Sequence, residues 1–401
     1  MANGTINASD YLLPSDSRLR GIGNRALVVG LAAAGLSVVG LLTNEQQFYR
    51  SYLVAFLFWM GPALGSMGIL MLQHITGGRW GVSIRRILEA GVRTMPLMAL
   101  LFLPIIPGMH DLYEWTHADV VAVDPVLQHK EPYLNTPFFL ARAAFYFVSW
   151  LILAFFLCRW SIEQDSKPSD RIVTRLQFLA RGGLCIYALT MTFGAFDWAM
   201  SITPHWYSHI YGVIVIGGQI LTSMAFAITV LAMYAEREPF ADFVTADRFH
   251  DLGKLLLAFI MLWAYFALSQ YLIIWSANLP EETPWYLARL NGGWEYVGGA
   301  LILFHFALPF VVLLSRSVKR KPAMLARVTA AFLVLRFVDL YWLVAPGFSP
   351  GHLAFHWLDV TTMAAIGGVW IGLFVRQLDG RPLLPVGDPA FLGEYAGGYE
   401  D

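Results

Sequence analysis

Ten separate runs of about 18 or more mostly apolar residues divide this chain, and each is long enough to cross the hydrocarbon core of a bilayer as a helix. They lie at 25–42, 52–74, 92–109, 138–158, 182–201, 209–234, 252–275, 296–314, 324–344 and 357–377. Lipid offers no hydrogen-bond partners, so a spanning run must satisfy its backbone internally, which a helix does. The predicted fold is therefore all-α, a polytopic membrane protein of about ten transmembrane helices. It divides into an N-terminal tail 1–24, a ten-helix domain 25–377 and a C-terminal tail 378–401. Arg18, Arg20 and Arg25 precede the first run, as in a signal peptide. That run starts too deep in the chain and lacks a cleavage site, so it reads as a retained helix.

Composition agrees: 57% of residues are hydrophobic and 14% charged, where a soluble domain carries about a quarter charged residues. Net charge is −1, so no global field draws in nucleic acid. The only cysteines are Cys158 and Cys185. They are too few for a four-cysteine iron–sulfur site, a thiolate zinc site or a disulfide framework, and no C-x-x-C-H haem motif is present. Any electron transfer involving this chain therefore draws on redox centres mostly held elsewhere.

Lysine and arginine set the orientation. With the N-terminus in the cytoplasm, every basic residue except Arg50, Lys130, Arg142, Arg289 and Arg336 falls on cytoplasmic segments or adjoining span ends. Both termini are thus expected inside. Trp80, Trp160, Trp206, Trp275, Trp294 and Trp357 sit at or near span ends, as an interfacial aromatic belt requires. Two outer loops are long. The first, 110–137, carries Asp111, Glu114, Asp119, Asp124 and Glu131 against one lysine. The second, 276–295, is rich in Pro and Trp. Each reads as solvated surface or as a docking site for an outer-face protein. His110, His117 and His129 lack metal-ligand spacing. The 378–401 tail, rich in Gly, Pro and acid, reads as a mobile or partner-bound extension.

An ionisable group inside a span costs about 2.5–3.5 kcal/mol on insertion scales and marks a functional candidate. These groups are Asp197, Lys254, His305, Arg336 and Asp339, with His74 and Asp359 near span ends. Arg336 and Asp339 are three residues apart and share a helical face. They make either a structural ion pair or a proton-relay station in which Asp339 titrates. Asp197 lies near the outer end of its span, followed by Pro204, His205, Tyr207, Ser208 and His209. It either caps a helix end or passes protons with His205 and His209. His305 is mid-span, and Pro309 frees its carbonyl. Haem b would need a second histidine at matching depth, and His74 is too near the inner surface to supply it. Lys254 can snorkel, and Tyr265, Ser269, Gln270 and Tyr271 follow on the same span, with Tyr265 and Ser269 able to line one wet face. Polar groups near both surfaces with few between suit two half-channels meeting at a midplane group, and equally suit a packed bundle. The glycines of GPALGSMG at 61–68 permit close helix contact, and Gly61–Pro62 could instead break the second span as in transporters.

The stretch TADRFHDLGKLLLAFIMLWAYFALSQYLIIWSANLPEETPWYLARLNGGW at 245–294 resembles the ActF-type integral membrane subunits of bacterial alternative complex III, in the NrfD/polysulfide-reductase family. So do FDWAMSITPHWYSHIYG, HFALPFVVLLSRSVKR, RFVDLYWLVAPGF and FWMGPALGSMGILMLQHITGGRWG. The resemblance implies two four-helix bundles plus two extra helices in the bacterial inner membrane. It implies a complex that oxidises quinol, quinone or menaquinone being the ligand, and reduces cytochrome c or another periplasmic acceptor. Partner subunits would hold the iron–sulfur clusters and haem c: an iron–sulfur subunit, multihaem and monohaem cytochromes, and a related NrfD-like membrane subunit. This chain would not catalyse alone. It would anchor the assembly and offer a proton path through Asp197, His205, His209, Lys254, Tyr271, His305, Arg336 and Asp339. The alternatives are a stand-alone secondary transporter that uses the same charges for ion coupling, and a subunit with its own quinone site.

Overall fold

The computed structural model describes residues 8–14, 17–235 and 237–397. Ten helices are long and apolar enough to span a membrane: α1 (Arg18–Thr43), α2 (Glu45–Thr76), α3 (Arg85–Ile105), α4 (Thr136–Ser166), α5 (Asp170–Ile202), α6 (Tyr211–Ala232), α7 (Ala246–Ala277), α8 (Trp294–Leu314), α9 (Pro322–Gly347) and α10 (Trp357–Leu378). Each contains the greater part of one predicted run. No strand forms among the described residues. Ten crossings put the start of α1 and the end of α10 on one face, here the terminal face. There Arg20 pairs with Asp379 at 3.0 Å. The opposite face is the distal face.

Helix starts follow local chemistry. Ser17, Asn44, Asn135 and Ser169 each accept a backbone N–H of the first turn of α1, α2, α4 and α5, satisfying donors a helix otherwise leaves open. His356 and Asp359 form a reciprocal capping box at the start of α10.

The helices α2 to α5 pack as one four-helix bundle and α6 to α9 as another, while α1 and α10 pair along their length and lie against α2. The two bundles meet chiefly where α6 lies on α2 and α5. Between helices in lipid the hydrophobic effect gives little, so contact rests on small residues that let backbones approach. A Cβ on Gly30 would stand 2.8 Å from Gly368, and one on Gly65 would collide with the Gln219 backbone. Nearly all of the apolar stretch of α2 is buried, whereas α1, α7 and α8 turn most of theirs outward.

Three expectations change. Gly61–Pro62 does not break the second span: α2 runs unbroken past Pro62, and Ser223 Oγ donates to the carbonyls of Gly61 and Pro62. The third span begins at Arg85 rather than 92, because Arg85, Arg86 and Glu89 are buried helical residues and half-buried Arg93 caps their helical segment. The C-terminal tail, as far as it is described, is docked. Leu383, Leu384 and Phe391 are buried, Leu383 N donates to Tyr11 O, and Phe391 meets Tyr11 and Phe243 edge to face or tilted. Residues 1–7, 15–16 and 398–401 of the two tails lie outside the described residues.

Candidate functional site

A buried pair of opposite charges lies where the bundles meet. Arg336 and Asp339, one turn apart on α9, are both buried and pair with each other. Arg336 reaches α6 through Nε, 3.4 Å from Thr222 Oγ1. It reaches α8 through Nη1, 3.4 Å from His305 Nε2. Gly218 makes room for it, since a Cβ there would overlap the guanidinium. A guanidinium only donates, so His305 Nε2 must present its lone pair and the ring proton sits on Nδ1. That Nδ1 is buried and has no partner. Trp263 and Phe332 hold the ring, with centroids 4.1 and 4.6 Å away.

Pro309 explains how His305 arrives there. Its missing N–H removes one helical bond, and α8 widens into a π-helix from Leu301 to Ala307 with His305 within it. Such widenings shift side chains out of α register and recur at functional sites. Beside Arg336 and Asp339 lies a narrow cavity walled by Leu57, Phe58, Met191, Gly218, Gln219 and Thr222, among others. It is of water size. A quinone ring does not fit it. Towards the terminal face, Thr229 and Thr329 hydroxyls meet at 2.7 Å.

The other sequence candidates stand apart from this cluster. Asp197 is buried at the distal end of the first bundle, and its partner is Arg142 rather than a histidine. Arg142 Nε and Nη2 donate to its two oxygens at 2.9 and 2.8 Å, and Tyr146 adds a third bond at 2.8 Å. Arg142 also donates to Tyr133 O and lies 3.8 Å from that ring centroid. His205 instead pairs with Asp124 at 2.6 Å on the distal surface. That bond holds the Asp124 carboxyl below the usual carboxylate range. His209 packs on Tyr207. Lys254 is exposed and pairs with Asp251, one turn nearer the start of α7, at 3.2 Å. Tyr271 stands edge-on to Tyr286, whose hydroxyl belongs to a distal ladder through Gln270 to Ser208. Tyr265 turns outward, 64% exposed.

Two buried groups escaped the sequence reading. Glu89 is fully buried at the terminal end of α3. It accepts from Arg86 and Ser161 at 2.6 Å each and from Arg93 at 3.0 Å, while Arg86 also pairs with Asp165. The i, i+3 and i+4 spacing of Arg86, Glu89 and Arg93 was the available signal. Arg289, 2% exposed, donates to the carbonyls of Trp285, Trp342 and Leu343 and lies 3.4 Å over Trp285. Two of those carbonyls end the regular α-helix of α9, so the cation sits at a helix C-terminus, where it is favoured. Burial pulls its pKa down to about 9, which leaves it charged at neutral pH.

Buried polar atoms without partners cost about 1–3 kcal/mol each. Four belong to residues at the adjoining ends of α2 and α3: Gln73 Oε1, His74 Nε2, Arg85 Nε and Arg86 Nε. No family model matches the chain, and no curated protein matches it in sequence.

Proposed function

We propose that the chain is an integral membrane subunit of a quinol-oxidising complex of the alternative complex III type, placed in the bacterial inner membrane with both termini cytoplasmic. Iron–sulfur and cytochrome c subunits and a related NrfD-like membrane subunit are its partners, and quinol chemistry belongs to the assembly. This subunit anchors the assembly and conducts protons at the seam between its bundles. The reading draws on the sequence resemblance, and the observation that carries it is the buried Arg336–Asp339–His305 cluster beside a water-sized cavity.

The cluster has the parts of a proton station. A proton reaching Asp339 through water cancels the carboxylate and releases Arg336 from its intrahelical bond. The guanidinium, which stays charged, then leans on His305 Nε2 and Thr222. Loss of the proton restores the pair. Ion coupling by a stand-alone transporter typically uses broken helices at the midplane, and the unbroken α2 favours the subunit reading.

Gentle detergent purification of the tagged chain tests membership. Haem c absorbance and a co-purifying iron–sulfur subunit are expected; a colourless, solitary protein would sink the proposal. In the intact complex, Asp339→Asn is expected to lower protons translocated per electron more than it lowers electron transfer. Equal loss of both, or loss of neither, would assign the pair a structural role.

A further inference from the structure

We propose that the terminal end of the first bundle holds an internal water cluster, and that the C-terminal segment is the lid over it. The argument rests on this chain's own packing and holds whichever complex it serves. Gln73 and His74 lie in the last turn of α2, Arg85 and Arg86 open α3, and His74 is within electrostatic reach of both arginines. Each of these four side chains is at least nine-tenths buried, and each keeps one polar atom without a protein partner. Two of the atoms are guanidinium Nε–H donors, one is an amide acceptor and one is an imidazole nitrogen. Donors and acceptors in one buried place are what bridging water needs, at two to four partners per molecule.

The floor and wall of this place are already polar. Glu89 is held by Arg86, Arg93 and Ser161, and Cys158 Sγ lies 3.8 Å from the Glu89 carbonyl. His74 lies within electrostatic reach of Arg85, Arg86, Glu89 and Asp388. Apolar surroundings would stay dry; the side chains here are charged or polar.

The lid is residues 381–391. Asp388 pairs with Arg85 at 2.5 Å. Gly387 N donates to Asp165 Oδ1, and Gln164 Nε2 donates to Gly387 O. Gly387 has no room for a side chain: a Cβ would run into the Gln164 backbone. Leu383, Leu384 and Phe391 anchor the two sides of the segment in apolar contacts with the rest of the terminal face. The polar middle therefore sits over the arginines while the apolar flanks hold it there.

The test uses the full chain in lipid nanodiscs with Cys185→Ser, which leaves Cys158 as the single thiol. Pulsed hydroxyl-radical footprinting after mixing into oxygen-18 water reads both hydration and exchange. His74 and Cys158 are expected to be modified as readily as surface-exposed His205, because water is in contact with them, but to take up oxygen-18 only after a delay. Asp388→Asn should shorten that delay about tenfold. Gly387→Ala, which keeps both charges and forces the segment outward, should do the same, so a poorly folding Asp388 variant does not decide the matter alone. Unmodified His74 and Cys158 in the parent protein would mean a dry site and overturn the cluster. Modification with an unchanged delay in both variants would overturn the lid.

Discussion

Removing Arg142 should destabilise the chain more than any single neutral hydrogen bond in its interior can explain. Asp197 has no exposed surface and takes three donors, two of them from the one guanidinium. Hydrogen bonds between membrane helices average about 0.6 kcal/mol, so three ordinary ones would be worth roughly 2 kcal/mol. Leaving a buried charge without its partner costs about 3–5 kcal/mol, and the Tyr133 ring stacked on Arg142 adds about 0.5–2 kcal/mol more. Arg142→Met should therefore cost about 4 kcal/mol or more in mixed-micelle unfolding followed by tryptophan fluorescence. Replacing both members, Arg142→Met with Asp197→Leu, removes the stranded charge and should recover at least about 2 kcal/mol of that loss. In the proposed complex Asp197→Asn should leave protons per electron unchanged. An Arg142→Met cost below about 1 kcal/mol, additive with Asp197→Leu, would refute the clamp. A fall in protons per electron with unchanged stability would make Asp197 a relay instead.

Gly218→Ala should reproduce the proton phenotype expected of Asp339→Asn while every charge remains, because the new methyl displaces the Arg336 guanidinium; proton-to-electron ratios in the proposed complex measure it. Arg289→Ala strands the Trp342 and Leu343 carbonyls and should cost about 2–4 kcal/mol in the same unfolding assay, with Arg289→Lys intermediate because one ammonium cannot span three carbonyls. On the distal surface the His205 bond lowers the Asp124 pKa, so its stabilisation is present above the unfolded carboxyl pKa and disappears as pH falls through the lower folded value. Exchange protection of the Val126 and Leu127 amides, which both donate to Asp124 Oδ1, should fall there, and His205→Ala should move that fall to higher pH.

The sequence made all ten spans legible because twenty apolar residues in a row leave a chain few alternatives. It also placed Arg336 and Asp339 on one face, since a three-residue separation fixes that within a helix. What spacing cannot supply is which helices meet. Arg142 and Asp197 enter the fourth and fifth spans at similar depth from the distal end, yet Arg142 read as a boundary residue and the neighbouring histidines as the partners. Glu89 was lost for a related reason: a hydropathy window rejects four charges in nine residues, while the fold buries them against further counter-charges, Asp165 and Asp388, brought from elsewhere in the chain. The docking of the tail was invisible because its apolar anchors Leu383, Leu384 and Phe391 are scattered among Gly and Pro with no periodicity.

The four buried carboxylates among the described residues differ in what their protonation would disturb. Asp359 takes hydroxyl bonds from Ser51 on α2 and Tyr341 on α9, so a proton there loosens contacts between helices. Asp197 ties α5 to α4 through Arg142 and Tyr146, so a proton there loosens a helix pair. Glu89 receives Ser161 across the α3–α4 contact, and its partner Arg86 continues to Asp165 on α4, so a proton there also works against packing. Asp339 takes its bond from Arg336 on its own helix. Breaking that bond severs no direct interhelical link, and the released guanidinium already has His305 and Thr222 within reach on two other helices. A group that must gain and lose a proton in every cycle is best held by its own helix, and among these carboxylates only Asp339 combines that tether with a water-sized cavity along its side.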